Sequence, residues 1–569
     1  MSRGTFERGL ALDRLRETPF DVLVIGGGIT GCGVALDAAS RGLRTALVER
    51  DDFAAGTSSK SSKLVHGGLR YLQNGDVRLV YEALRERHRL RQNAPHLVSL
   101  LPFLIPVLSR DGVISKKLAK ALGSAMWMYD LTGGFRIGKL HKKLDADEVA
   151  AHMPTLPTEH LAGGYLYWDA TADDARLTLT IARTAAIEFG AAVVNHTEVV
   201  GLVKDSDGRA IGATVEADGE RFEIQAATIV NATGVWADDI RTLDEGHDPD
   251  SIRPAKGIHI TVPWAKVRND LGVIIPVPKD KRSVFVVPWP APPGVDPEFS
   301  YVGTTDTDYD GPVDDPQCTE TDIDYLLRAL NHSLAEPVSR DDIVGTWAGL
   351  RPLVKSEPDG RTADLSRSHQ VTTSDAGVVT VTGGKLTTYR EMAEDTLDAV
   401  VGLRGDDLPR SARRCHTRKM RLLGADAYDE AATGTAGHLQ RRYGGETRVL
   451  DAMIDADPTL AEPLVEGLSY LRAEARYAVR YEMAVDLDDV LTRRTRARLL
   501  ARDASAEAAA DVAALIAPEL GWTAEEQQRQ VDAYRASIEA ERRAVSEVQA
   551  GPDSTATTTK TVSTSGERT

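Results

Sequence analysis

Residues 21–49 read DVLVIGGGITGCGVALDAASRGLRTALVE, and the fold follows from their order. Asp21 to Ile25 is a short β-branched apolar run that meets three glycines, with the small-residue stretch Val34 to Ser40 beyond them. This order predicts a buried strand, a tight turn and a helix. Arg44 to Glu49 is a second apolar run, ending in an acid eighteen residues past Gly31, which completes a βαβ unit. In Gly26-x-Gly28-x-x-Gly31 the first glycine permits the turn, the second lets a pyrophosphate approach the backbone, and the third lets helix and strand pack closely. Phosphates then rest on the free N–H groups and positive dipole of the helix N-terminus. Glu49 is placed to accept hydrogen bonds from an adenosine ribose, and an acid there disfavours a 2′-phosphate. The pattern predicts a dinucleotide site; FAD and NAD both satisfy it, because both carry ADP.

Outside this unit the organisation is interleaved. Ala54 to Ser62 (AAGTSSKSS) is small and hydroxyl-rich and runs into KLVHGGLRYL, and residues 77–92 have helical periodicity with a charged outer face. Residues 191–203 and 210–215 read as paired strands, and 226–231 reads as a buried strand entering the turn ATGVW. Two more apolar runs, 283–288 and 299–303, suggest an antiparallel sheet separate from the nucleotide fold. Residues 378–382 form a strand that meets Gly383-Gly384, and 391–401 is helical. Pieces of a parallel-sheet domain therefore lie near 20–60, 175–235 and 345–402. The expected domains are an N-terminal extension over 1–19, a discontinuous nucleotide-binding domain over 20–404 with inserted segments about 75–165 and 254–346, and a helical domain over 405–550. Residues 551–569 (GPDSTATTTKTVSTSGERT) have almost no large apolar side chain to offset the entropy of ordering and read as a disordered tail.

The 569 residues carry 68 Lys and Arg against 85 Asp and Glu, a formal net charge of −17, which excludes a broadly basic nucleic-acid binder. Three separated cysteines (Cys32, Cys318, Cys415) make neither a disulfide framework nor a metal spacing, so a reducing compartment and no metal are expected. No secretory signal is legible at the N-terminus, and the most apolar stretch, 97–108, is too short to span a bilayer and is broken by Pro102 and Pro106.

Residues 25–42 (IGGGITGCGVALDAASRG) and 57–72 (TSSKSSKLVHGGLRYL) resemble the signature of the FAD-dependent glycerol-3-phosphate dehydrogenases, and 383–393 (GGKLTTYREMA) resembles that family's second signature. WAGLRPL at 347–353, GTTD at 303–306, KGIH at 256–259 and EARYAVRYEMAVDLDDVLTRR at 474–494 fall in the family's order. The resemblance implies an α/β fold with a Rossmann-like FAD domain of the glycine-oxidase and amino-acid-oxidase type. An inserted antiparallel-sheet substrate domain and an all-α C-terminal domain complete the implied architecture. It implies oxidation of sn-glycerol 3-phosphate to dihydroxyacetone phosphate, with electrons passed through FAD to a membrane quinone. Peripheral attachment to the inner face of the cell membrane and a homodimer through the helical domain are also implied, and nucleic acid is not an expected partner.

By this resemblance Gly26, Gly28, Gly31, Glu49, Thr57, Ser58, Ser59, Ser62, Lys63, His66, Val199, Gly234, Gly384, Lys385, Leu386 and Thr387 hold FAD. The free N–H groups after Gly384 would stabilise the negative charge that grows on a flavin as it is reduced. Arg351 is the expected phosphate clamp, since a planar fork suits bidentate phosphate binding, with Arg367, Tyr71, Arg70 and Thr305 as further substrate contacts. The base that takes the C2 hydroxyl proton is His259, whose ordinary pKa suits the task, or Lys385, whose pKa neighbouring cations would lower. Lys116, Lys117, Lys120, Arg136, Lys139, Lys142 and Lys143, with Trp127 and Met128, form a local basic cluster able to face anionic lipid. Use of O2 in place of quinone, an amine or amino-acid oxidase of the same superfamily, and a non-catalytic flavin-binding scaffold stay open as alternatives.

Overall fold

The computed structural model describes residues 4–68, 77–108, 116–280, 282–290, 296–355 and 369–546, with backbone alone at 116–122, 134–135 and 546. Val22–Ile25 is a strand flanked in parallel by Thr45–Val48 and Ile229–Asn231. This six-stranded sheet continues to Ala192–Val194 on one side and to Val379–Thr382 and Gln370–Thr373 on the other, where Gln370–Thr373 runs antiparallel. Val22–Ile25 and Thr45–Val48 are buried at every position, as unbroken apolar runs covered on both faces must be. Helix Ile29–Ser40, rich in small residues, packs between Asp174–Phe189 and Tyr389–Arg404 on one face. A meander of Glu198–Lys204, Ala210–Ala217 and Glu220–Gln225 covers the other through Val199, Ala213 and Val215.

Two local expectations need correction. Residues 191–203 are not one strand: Ala192–Val194 joins the parallel sheet, and the chain turns at His196, φ +47°, before Glu198–Lys204 enters the meander. The N-terminal residues are not a mere extension, because helix Arg8–Glu17 buries Ala11, Leu12 and Leu15 against the sheet.

The second sheet is ten-stranded and carries the inserted segments. The apolar stretch around Pro102 and Pro106 is its strand Val98–Leu108, paired with Leu161–Ala172 and irregular between Pro106 and Leu108, where proline is tolerated. At its centre Ile252–Pro263 lies between Phe299–Gly303 and Gly345–Val354. Side chains alternate across it. Ile258, Ile260 and Val262 pack on helix Glu320–His332 through Ile323, Leu326 and Leu330. His259 and its register partners Gly303 and Trp347 occupy the opposite face, as does Phe285, which pairs with Gly303.

Residues 434–546 form helices with their own core, including Leu450, Leu487, Val490, Val512 and Ile516. Buried ion pairs lock this domain to the parallel-sheet domain: Arg176 to Glu482, Arg183 to Glu446, Arg494 to Asp52 and Arg496 to Asp174. Removing one member of such a pair costs about 3–5 kcal/mol, because the other charge is left buried alone. Among the described residues no helix is long and apolar enough to cross a membrane.

Candidate active site

The glycine turn joins Val22–Ile25 to helix Ile29–Ser40 at the carboxyl end of the parallel sheet. Gly26 has φ +106°, and a Cβ on Gly31 would stand 1.9 Å from the Gly26 carbonyl oxygen, so neither position takes a side chain. The Ile29 N–H donates to Ser58 Oγ at 2.9 Å, which brings the hydroxyl-rich segment onto the helix N-terminus. A cavity of about 500 Å³ opens there, walled by Gly28, Glu49, Thr57, Ser58, Val199 and Gly234, and by Gly384, Lys385 and Leu386 from the turn after Val379–Thr382.

Glu49 is half-buried on this wall and accepts hydrogen bonds from the N–H groups of Gly27 (2.5 Å) and Asp51 (2.9 Å). Burial outweighs those bonds and pushes its carboxyl up to about 7. Trp236 and Arg50 bound the same end, with the Arg50 guanidinium 5.1 Å from the indole centroid.

A second cavity of about 250 Å³ shares Thr57, Ser58, Gly384, Lys385 and Leu386 with the first and reaches the central strands of the ten-stranded sheet. His259 lies on its wall, 2% exposed, stacked on Trp347 at 4.7 Å between centroids and 9° between planes. His259 Nε2 is 2.8 Å from Ser62 Oγ, whereas Nδ1 is sealed in with no hydrogen-bond partner among the described residues. Burial, then the Lys63 and Arg351 charges, hold its pKa well below the ordinary histidine value, so the imidazole is neutral and one ring nitrogen is unprotonated. A Cβ on Gly303 would collide with this ring at 2.0 Å, and one on Gly257 would stand 2.6 Å from the Arg351 guanidinium. The two glycines clear space for the two functional side chains. Arg351 donates to Asp306 Oδ1 (3.3 Å), Thr304 Oγ1 (3.4 Å) and the Thr305 carbonyl (3.2 Å), which fix its fork at the cavity edge. Lys385 caps the short helix Leu386–Thr388, and His66 and Thr387 close the wall, with the His66 N–H donating to Thr387 Oγ1 at 3.2 Å.

Most of the residues expected at the site thus meet here, but four stand back from both cavities, Gly31 among them because it packs against the Gly26 carbonyl. Lys63 is buried behind the wall, its ammonium bonded to Asp174 and to the Ser59 carbonyl, because a desolvated cation must be paired. Ser59 is buried as well, and its carbonyl accepts from the Lys63 ammonium. Thr305 is buried and accepts from the Ile258 N–H at 3.1 Å, so Thr304 is the threonine of the wall. Arg70, Tyr71 and Arg367 lie outside the described residues. Phe285 and Ser62's role beside His259 escaped sequence reasoning, since the first depends on the pairing register of distant strands and the second on a contact between residues 197 positions apart. The alternation of the run at 283–288 puts Phe285 on a common face with Val287, yet does not place it beside Gly303.

Residues 21–390 match the family described as FAD dependent oxidoreductase, and residues 415–527 match the C-terminal domain of alpha-glycerophosphate oxidase. The chain is 41% identical over 555 residues to the glycerol-3-phosphate dehydrogenase of Mycobacterium leprae, covering 95% of this chain and 91% of that one. It is 36% identical to the mitochondrial glycerol-3-phosphate dehydrogenase of Mus musculus, covering 92% and 74% of the two chains. The crystal structure of the Bacillus halodurans glycerol-3-phosphate dehydrogenase complexed with FAD superposes with a TM-score of 0.74 at 30% identity, covering 95% and 97%.

Proposed function

Because the chain belongs to the FAD-dependent glycerol-3-phosphate dehydrogenases, we propose that it oxidises sn-glycerol 3-phosphate at C2 to dihydroxyacetone phosphate, with His259 as base, and delivers the electrons to a membrane quinone. FAD is the cofactor. The residues present fit it: the two cavities share a wall, Gly28 and Gly234 stand at the first, and a Cβ on Gly234 would project into open space with nothing within 4 Å. The observation that carries the reading is the convergence of neutral His259, Arg351 and Lys385 on a small cavity that opens off the dinucleotide cavity.

When bound, FAD supplies the acceptor for the C2 hydride. Arg351 binds the substrate phosphate, and its bonds to Asp306, Thr304 and Thr305 orient the fork in advance. His259 Nε2 takes the C2 hydroxyl proton beside Ser62. Lys385, on the wall that both cavities share, stabilises negative charge there.

Glu49 gives a pH test of the cofactor site. With its carboxyl near 7, it is largely protonated below that pH, whereas ribose hydroxyls donate best to the carboxylate. FAD binding therefore expels a proton below pH 7, and affinity rises with pH to about 7 and levels off above it. Calorimetry in two buffers of different ionisation enthalpy reads the proton release, and Glu49→Gln should abolish it.

Support for the quinone and the bilayer comes from two helices that pack on each other, Val77–Asn93 and Lys116–Thr132, and the segment after them. They carry six of the eleven large apolar side chains exposed among the described residues: Val77, Tyr81, Trp127 (54% exposed), Met128, Leu131 (72%) and Leu140. Arg136 stacks on Tyr81 at 4.6 Å, and Lys139, Lys142 and Lys143 are exposed beside Leu140. Aromatic and aliphatic groups with a basic rim fit an anionic bilayer surface. The chain would act there as a peripheral protein on the inner face of the cell membrane. Reversing Lys139, Lys142 and Lys143 to Glu should weaken binding to phosphatidylglycerol vesicles in co-sedimentation by about 10²-fold or more, at about 1 kcal/mol per charge, and leave dye-linked activity unchanged. After anaerobic reduction by substrate, reoxidation by a soluble quinone should outpace that by air; faster reoxidation by air would make the protein an oxidase.

A further inference from the structure

The C-terminal helical domain meets the segment behind the active site at a buried carboxylate. Asp174, fully buried at the start of helix Asp174–Phe189, accepts from the Ser61 N–H (3.1 Å), Ser61 Oγ (2.7 Å) and Lys63 Nζ (3.2 Å). From the C-terminal domain Arg496, also fully buried, donates to Asp174 Oδ1, to Asp173 Oδ1 at 3.0 Å and to the Ser59 carbonyl at 3.4 Å. The segment 59–63 is thus tied at both ends to one ion-pair knot. Lys63, at φ +57°, holds a conformation that local sequence alone does not favour. On the other side Trp347 Nε1 donates to the Ser61 carbonyl at 3.2 Å and Tyr301 OH to the Ser62 carbonyl at 2.9 Å. Between these two anchorages Ser62 is presented to His259 Nε2 at 2.8 Å.

We propose that Arg496 and Asp174 are positioning residues for the proton-transfer step, holding Ser62 against His259, so that the C-terminal domain sets both the geometry and the charge around the base. The proposal rests on His259 being that base. The charged and titratable groups around His259 are Lys63 from the segment below it and Arg351 from the neighbouring strand, with Tyr301 alongside and Lys60, His66 and Lys385 on the same cavity wall. Asp174 and Arg496 balance Lys63, so neutralising either one changes the field at His259 with opposite sign.

The test uses the full-length flavin-loaded protein and stopped-flow reduction by glycerol 3-phosphate across pH. Arg496→Met leaves Asp174 less compensated and should lower the reduction rate about tenfold with KM within about twofold, while raising the acid limb of kcat/KM by about one pH unit. Asp174→Asn should also slow reduction but move the limb down. Arg496→Lys, which keeps the charge, should leave the limb in place and restore part of the rate. A merely structural role would lower flavin content or thermal stability without opposite shifts. Limbs that stay put, or move together, overturn the proposal. If Asp174→Asn does not fold, Ser61→Ala removes one bond to Asp174 without burying a lone charge, and an unchanged rate in that variant overturns it equally. Wild-type reduction by His259→Asn would instead overturn the reading of the base itself; an inactive His259→Asn with unmoved limbs removes the positioning proposal alone.

Discussion

His259→Asn is expected to slow reduction of the bound flavin by glycerol 3-phosphate by about 10² to 10⁴-fold, the range that a positioned general base supplies. Asparagine keeps a polar group near Ser62 but accepts no proton at neutral pH. Flavin content should be unchanged, because His259 stands on the wall of the smaller cavity and not on that of the dinucleotide cavity. The wild-type histidine is held neutral well below its ordinary pKa, so wild-type kcat/KM should stay flat from pH 8 down past 6. The same depression has a stability consequence. The unfolded histidine takes a proton near 6.5 and the folded one resists it, so this residue costs stability as pH falls below 6.5. If Lys385→Met, and not His259→Asn, removed the proton-transfer step while both variants bound substrate, the base assignment would pass to Lys385.

Arg351→Gln is the second large effect. The guanidinium is held by Asp306, Thr304 and Thr305 before any substrate arrives, and its fork is suited to a phosphate dianion. Hydrogen bonds between charged partners contribute about 1.5–3 kcal/mol each, so loss of a bidentate pair should lower kcat/KM by about 10² to 10⁴-fold. Most of the loss should appear in KM, and glycerol, which has no phosphate, should be oxidised equally slowly by both forms. Arg351→Lys should recover only part of the loss, since it restores the charge without the fork. A variant with wild-type KM would show that the phosphate is bound elsewhere. The net charge of −17 bears on this point, because it provides no long-range attraction for an anionic substrate and leaves capture to close contacts.

The nucleotide fold was legible because its signals are local. The βαβ unit, its three glycines and Glu49 lie within twenty-nine consecutive residues, and the structure places them as strand, turn, helix and strand. Arg351 and His259 were legible through motif resemblance, while the feature that makes them a pair is a register: Ile252–Pro263 lies antiparallel to Gly345–Val354, so His259 meets Trp347 and Arg351 lies four residues further along the same face. Alternation within one strand is visible in sequence, but which strands adjoin is not. Lys63 shows the converse failure. A lysine in a hydroxyl-rich loop suggests a phosphate ligand, but its partner, Asp174, is 111 residues away, and the pairing turns its ammonium from the cavity into the domain junction. Arg494 and Arg496 likewise fall in a helical stretch of the sequence, and their pairing with buried Asp52 and Asp174 comes from the docking of two domains.

An anaerobic titration of the purified protein tests the central claim most directly. Flavin absorbance should bleach on addition of glycerol 3-phosphate in near-stoichiometric amount and should not change with glycine. A protein that carries no flavin, or one that stays oxidised with glycerol 3-phosphate or is bleached by glycine, would contradict the account.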